Sequence, residues 1–537
     1  MTTSPSRLAR GMRDLLPAAM RRRQQVIDTL RGAFETYGFD PLDTPAVERA
    51  ETLLGKYGPD AERLIYRVGL GDEADLALRY DLTVPLARVC AVTDGLPRPF
   101  KRYQIGPVWR GERPQRGRYR EFVQADVDIV GCSGMLADAE IIALVIDVLD
   151  RLGLRDNVTK LNNRKLLAAI GAYAGVPDDL LPGAYRAIDK LDKLGLDGVR
   201  LELGAVGLPM ELLNRQRQAI GRWLRGQAGR AELEQTLQAA LTGDVPSGVR
   251  ERALPAFFEA LTAYPPGDAD DARVGEAERR VMAASVQALR AVFPPDRLLS
   301  DETTDRLLEL LQLRGDGPAV LDALGQRLLD ATATAGLEEL SAVLDALAAA
   351  NLPPDKVAVD CAMVRGLDYY TGTIFETVVT APPIGSITGG GRYDRLMALF
   401  GRDLPAVGTS FGVDRLVDVM VAADLFPAGV DGPSAQVLVA RFSEATTAPA
   451  VGLVSELRAA GIRAELYLGP EGLGDQIRFA LKRAIPVLAI LGPDELAAAT
   501  VTLRDLVAGS QQTVPRADLA ATLRAATTGG PSELAEH

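Results

Sequence analysis

From Phe122 to Ile129 the chain alternates, with apolar and mostly polar side chains taking turns. On a strand, Val123, Ala125, Val127 and Ile129 fall on one face, and Phe122, Gln124, Asp126 and Asp128 on the other. The stretch from Lys101 to Gly131 therefore reads as strand, charged loop, strand. Burying a polar row is costly unless each group finds a partner, and a cleft holding a charged ligand would supply partners. From Lys101 to Arg120 there are seven basic residues and one acid, Glu112, in a chain of net charge -12. Forked arginine donors suit a phosphate, and carboxylates beside them suit an amine. A solvated hairpin with a salt-bridged tip is the plainer alternative.

The same patterning predicts the other elements. Met20 to Tyr37 has helical periodicity, with Val26, Ile27, Leu30 and Phe34 on one face and Gly38 closing it. Residues 39–48, FDPLDTPAVE, break that helix, and Leu64–Val68 and Leu76–Tyr80 read as strands. Asp81 and Thr83 sit at a strand-to-helix junction, where Thr83 serving only as a cap is an open alternative. Ala137 to Leu152 is an apolar-faced helix and Thr159 to Asn163 a strand. From Lys165 to Asn351 helical stretches predominate, at 211–224, 231–241, 281–292, 304–313 and 337–349, punctuated by Pro/Gly breakers. Val364 to Val379 carries Arg365 and the Tyr369-Tyr370 pair from a glycine-flanked loop into a β-branched strand. In GGGRYD, 389–394, the glycines hint at close backbone approach to a ligand. Val407 to Leu416 reads as a strand entering a helix, with Arg415 in its first turns; there it opposes the helix dipole, although pairing with Asp414 or Asp418 would hold it. Beyond Pro427–Pro433, strand and helix alternate to residue 525, predicting a small α/β domain with buried parallel strands.

Composition narrows the chemistry. The 537 residues are 47% hydrophobic and 25% charged, as in a globular protein of several domains. No leader pattern and no long apolar run is present in the sequence. Cys90, Cys132 and Cys361 are far apart and form no CxxC pair, which speaks against a zinc site or disulfide framework and for a reducing, cytoplasmic compartment. The single histidine is the last residue, His537. Histidine-based nucleophilic catalysis and His-rich metal sites are thereby excluded. An acidic chain is a poor non-specific binder of nucleic acid, so local patches would have to bind any RNA.

The run GRYREFVQADVDI at 117–129 resembles motif 2 of the class II aminoacyl-tRNA synthetases, in the form carried by the histidyl enzymes. FDPLDTPAVE resembles motif 1, VGTSFGVDRL motif 3, and RGLDYYTG at 365–372 is the most specific signature in the chain. The resemblance covers residues 8–200 and 355–525. It implies an α+β fold: an antiparallel catalytic sheet flanked by helices in residues 1–164 and 351–426, a mostly helical insertion at 165–350, a linker at 427–433, an anticodon-binding α/β domain at 434–528 and a tail at 529–537. It implies ATP-dependent ligation of L-histidine to tRNA(His), with Mg2+, by a homodimer without membrane association. By the same resemblance, Arg110 and Arg365 would be catalytic, and Arg110, Glu112, Arg118 and Arg415 would bind ATP. Asp81, Thr83, Gln124, Asp128, Tyr369 and Tyr370 would bind histidine, and Arg113 and Gln115 would touch the tRNA acceptor end. LRYDLT at 78–83 resembles the eukaryote-like branch, whereas the ERPQ tip at 112–115 is bacterial-like. A non-catalytic paralogue regulating histidine biosynthesis is the alternative function; such paralogues lack the C-terminal domain and have usually lost these arginines.

Overall fold

Residues Phe100–Trp109 and Glu121–Val130 pair antiparallel along their whole length, with Arg102 opposite Asp128 and Gly106 opposite Gln124. This hairpin is the one expected from the alternation. The computed structural model describes residues 8–56, 62–70, 73–114, 117–208, 210–240, 255, 258, 271–291, 293–364, 369–381 and 385–528. In chain order the strands are β1 (Asp40–Pro41), β2 (Val47–Arg49), β3 (Arg67–Leu70), β4 (Glu73–Leu78), β5 (Phe100–Trp109), β6 (Glu121–Val130), β7 (Asn157–Asn163), β8 (Arg314–Gly315), β9 (Val357–Asp360), β10 (Thr373–Val379), β11 (Ser386–Arg392), β12 (Ala406–Gly412), β13 (Val437–Val439), β14 (Ala464–Leu466), β15 (Val487–Ile490), β16 (Thr500–Asp505) and β17 (Gln511–Pro515).

Among the described residues two compact units are present, Met1–Asp14 with Arg23–Leu425, and Leu15–Arg22 with Phe426–His537. The first is built on a nine-stranded sheet of order β1-β5-β6-β12-β11-β10-β7-β9-β8. Its central run, β5 to β7, is antiparallel throughout. The sheet therefore carries alternating side chains, one face towards apolar packing and the other free to hold polar groups. Strands β2, β4 and β3 form a separate three-stranded antiparallel sheet. Helices α1 (Pro17–Thr36), α2 (Thr83–Val92), α3 (Leu136–Arg151) and α4 (Val413–Ala422) accompany this part of the chain. Helix α1 buries Val26, Ile27, Leu30 and Phe34, the face expected from its periodicity. Strands β3 and β4 lie a few residues from the expected positions, because alternation locates a strand better than its ends.

Between β7 and β9 the regular elements among the described residues are helices, apart from the two-residue β8 and two short 3-10 turns at Pro295–Arg297 and Pro354–Lys356. Met210–Leu224 and Asp271–Arg290 pack through Ile220, Leu224, Val281, Val286 and Leu289 around a core of their own. The sheet of the second unit, β14-β13-β15-β16-β17, corrects one expectation. Strand β13 is parallel to β14 and β15, but β16 runs antiparallel to both β15 and β17. The link from β15 to β16 is too short for a parallel crossover, and β16–β17 is a hairpin.

Candidate active site

Asp128 sits near the end of β6, 2% exposed, with Arg102 on one side strand and Gly408 on the other. Arg102 is fully buried; its Nη2 lies 2.8 Å from Asp128 Oδ2 and donates to the carbonyl of Leu82 at 3.0 Å. The hydroxyl of Tyr393 donates to Asp128 Oδ1. Burial pushes the Asp128 carboxyl up, and Arg102 and Tyr393 act against that rise. Gly408 is dictated by this carboxylate: a Cβ there would lie 2.0 Å from Asp128 Oδ1. Two residues back, burial pushes Asp126 up to about 7; Arg102 and the Ser410 hydroxyl oppose the rise, and Asp128 and Asp81 add to it.

Gln124 completes the polar row. Its Nε2 donates to Ser410 Oγ at 2.9 Å and to Asp126 Oδ1 at 3.2 Å, and its Oε1 accepts from Arg110 Nη2 at 3.0 Å. The Arg110 guanidinium lies 4.4 Å from the Tyr80 ring and 5.2 Å from the Phe122 ring, and Nε donates to the Tyr80 carbonyl at 3.1 Å. Two aromatic rings and two hydrogen bonds thus hold this cation in one orientation. Further out on the loop, Arg118 Nη1 is 3.6 Å from Glu112 Oε2 and half-exposed. Arg415 lies in the first turn of α4 and donates to the carbonyl of Ser386. Its neighbour Asp414 takes Arg13 and Arg23 as ion pairs and accepts from the backbone N–H of Val123 at 2.8 Å.

The opposite wall is aromatic. The rings of Tyr369 and Tyr370 lie 5.0 Å apart edge to face, and Tyr393 is 5.7 Å from Tyr369 and 6.5 Å from Tyr370. Burial, reinforced by Asp128, Asp126 and Asp81, raises the Tyr370 phenol, so it remains a neutral donor at pH 7. At the start of α2, Asp81 rather than Thr83 does the capping: Oδ1 accepts from the backbone N–H of Thr83 at 3.1 Å and of Val84 at 3.0 Å.

These groups surround one cleft of about 1370 Å³. Asp81, Thr83, Arg110, Glu112, Arg118, Gln124, Asp128, Tyr369, Tyr370 and Arg415 all line it. Arg113 is exposed and does not line it, and Gln115 and Arg365 fall outside the described residues. The cleft continues to the insertion, where Arg164, Arg186, Lys190 and Arg217 line it together with the acids Asp179, Asp189 and Glu202, the last paired with Lys190 and Arg217. The sequence reading did not single out Arg102, Tyr393 or Ser410. Their signals were present, as a cation inside an alternating strand and as GGGRYD and TSFG next to glycines, but only strand register reveals whom they touch. Gly389 and Gly390 of GGGRYD line the cleft, and Gly390 is also packed tightly against the neighbouring strands: a Cβ there would lie 2.2 Å from the Gly408 carbonyl and 2.7 Å from the Phe375 ring.

A profile described as histidyl-tRNA synthetase matches residues 11–264 and 253–416, together most of the chain. The chain belongs to the histidyl-tRNA synthetase family. A second profile, described as an anticodon binding domain, matches residues 436–526. Histidine–tRNA ligase of Gloeobacter violaceus is 37% identical over 94% of this chain and 96% of its own length, and that of Aeropyrum pernix is 38% identical over 94% and 95%. The crystal structure of histidyl-tRNA synthetase from Nostoc sp. superposes with a TM-score of 0.70 at 27% identity, covering 97% of this chain and all of that one. The α+β architecture expected from the sequence is therefore that of the family.

Proposed function

We propose that the chain is a histidine–tRNA ligase, which activates L-histidine with ATP to histidyl-adenylate and passes the acyl group to the 3′ end of tRNA(His). One observation carries this reading: ten residues drawn from four separate stretches, each expected from the sequence to bind histidine or ATP, line a single cleft. The regulatory paralogue is not favoured, because the chain keeps Arg110 and Arg415, matches an anticodon-binding domain, and aligns over nearly its full length with histidine–tRNA ligases.

The buried end of the cleft holds the amino acid. Asp128 still has acceptor capacity beyond Arg102 and Tyr393, since a carboxylate offers about four lone-pair sites, and an imidazole N–H meets it there. An apolar side chain of similar size would leave that carboxylate mispaired, which is the stronger kind of selectivity. Tyr369 and Tyr370 wall the ring, and Asp81, Thr83 and Gln124 receive the amino group. Arg110 holds the reacting carboxylate and the α-phosphate together, Arg118 takes the outer phosphates, Glu112 contacts the adenine amino group or a bound ion, and Arg415 stacks on the adenine. A histidine carboxylate oxygen attacks the α-phosphorus, the bond to the β-phosphate oxygen breaks, and pyrophosphate leaves. The terminal ribose hydroxyl of the tRNA then attacks the acyl carbon and AMP leaves. Positioning and fixed positive charge supply the acceleration, without a covalent enzyme intermediate.

The described residues hold no cluster of three or more ligating side chains. Mg2+ would be carried chiefly by the phosphates of ATP, with Glu112 as the carboxylate that would reach it. Arg365 completes the charge on the α-phosphate, and Arg113 with Gln115 meets the acceptor end of the tRNA. Residues 165–350 lie along the acceptor stem, and residues 434–528, joined to the catalytic part by residues 427–433, read the anticodon. The chain works as a homodimer. The three cysteines are free and separate, which suits the cytoplasm, and among the described residues no helix is long and apolar enough to cross a membrane. Charging of tRNA(His) with labelled histidine tests the reading directly. Arg365→Ala is expected to slow adenylate formation on the order of 10²-fold, the loss typical of one preorganised charge; an unchanged rate removes Arg365 from the mechanism.

A further inference from the structure

Asp126 is the one member of the β6 polar row left without a task. It is 1% exposed and, unlike Gln124 and Asp128 on either side of it along the strand, does not line the cleft. It nevertheless touches the cleft wall through Gln124. The two ends of the Gln124 amide are distinct: Nε2 faces Asp126 and Ser410, and Oε1 faces Arg110. Turned over, the amide would present its oxygen to the Asp126 carboxylate and its N–H groups to a guanidinium that can only donate. Both contacts would then be repulsive. Ser410 alone cannot impose this choice, because a hydroxyl donates as readily as it accepts. Arg110, which can only donate, and Asp126, which in its ionised form can only accept, can.

We infer that Asp126 is a positioning residue for the histidine end of the cleft: its carboxylate fixes the orientation of the Gln124 amide and thereby sets the hydrogen-bonding face offered to the amino acid. This rests on the reading of Gln124 as a histidine contact. Burying a carboxylate beside Asp128 is costly, and an apolar residue would serve the sheet equally well. What the carboxylate adds is the direction of one amide.

The test is histidine- and ATP-dependent pyrophosphate exchange with Asp126→Ala, Asp126→Asn and Gln124→Ala, with thermal melts alongside. Asp126→Ala is expected to raise the KM for histidine about tenfold, the worth of one buried hydrogen bond, with the KM for ATP unchanged. Asn keeps an acceptor for Nε2, so Asp126→Asn is expected to restore the histidine KM to within about threefold of wild type. If Asp126→Ala melts early, Asp126→Leu, of the same branched shape but without an acceptor, is read in its place and is expected to show the same rise. A histidine KM unchanged in the acceptor-less variant while Gln124→Ala raises it overturns the inference. So does an equal rise in both KM values, which is the mark of general disturbance. An unchanged histidine KM in Gln124→Ala instead overturns the underlying reading of Gln124.

Discussion

Asp128 shows how a single position gathers its constraints from several strands. Its partners Arg102, Gly408 and Tyr393 come from β5, β12 and the residue after β11. A methyl group at Gly408 would collide with the Asp128 carboxylate and with the Val127 carbonyl, 2.7 Å away, which is backbone and cannot yield. Gly408→Ala is therefore expected to cost roughly 1–3 kcal/mol of stability, as overpacking does, and to raise the KM for histidine; a melt and exchange kinetics at varied histidine check both. Asp126 gives a prediction in pH. Its carboxyl titrates near 3.8 when unfolded and about 7 when folded, so between these values the folded chain holds a proton that the unfolded chain has lost. Its contribution to stability accordingly falls as pH rises from about 4 to about 7. Arg102, Asp128, Asp81 and Ser410 are the groups that face it. Asp126→Asn is expected to flatten this part of the stability profile, and an identical slope in wild type and variant would contradict the burial of a raised carboxyl. The alternation in β6 made Gln124, Asp126 and Asp128 legible in the sequence. Arg102 was not, because a cation in a strand does not disclose which carboxylate lies across from it.

Among the elements, the motif 2 loop is held from outside the hairpin. The backbone N–H of Arg120 donates to the Gly11 carbonyl at 2.9 Å, the Arg13 guanidinium lies 3.4 Å from the Tyr119 ring, and Arg13 pairs with Asp414 at the start of α4. One side chain thus ties the N-terminal segment to the two elements that carry Arg118 and Arg415. Loss of a cation–π contact and a partly buried ion pair is worth roughly 1–2 kcal/mol. Arg13→Ala is expected to raise the KM for ATP by up to about tenfold while sparing the KM for histidine; a histidine effect of equal size would show that the strap is not specific to the nucleotide end. Nothing in RGMRD suggested this, since its partners are more than a hundred residues away. The helices α1, α3 and α4 were legible because each carries an apolar stripe at helical spacing. The antiparallel setting of β16 was not, because a buried strand has the same apolar run in either direction.

At the scale of the molecule, two units with separate cores match the profiles of a synthetase and an anticodon-binding domain. The order of the nine-stranded sheet brings together stretches that lie hundreds of residues apart, with β6 beside β12 and β10 beside β7. That adjacency is what lets residues 81, 110, 124, 370 and 415 share a cleft, and it could be expected only through the family motifs, not through periodicity. The homodimer is testable by sedimentation: the mass of two chains is expected, and a monomer that still charges tRNA would contradict it. The central claim is that this cleft activates histidine and no other amino acid. ATP–pyrophosphate exchange with each of the twenty amino acids in turn, without tRNA, tests it most directly. Exchange with histidine alone is the predicted result. Exchange with a different amino acid would contradict the roles given to Asp128, Gln124 and the tyrosine pair, and no exchange with any would contradict the reading of the chain as a ligase.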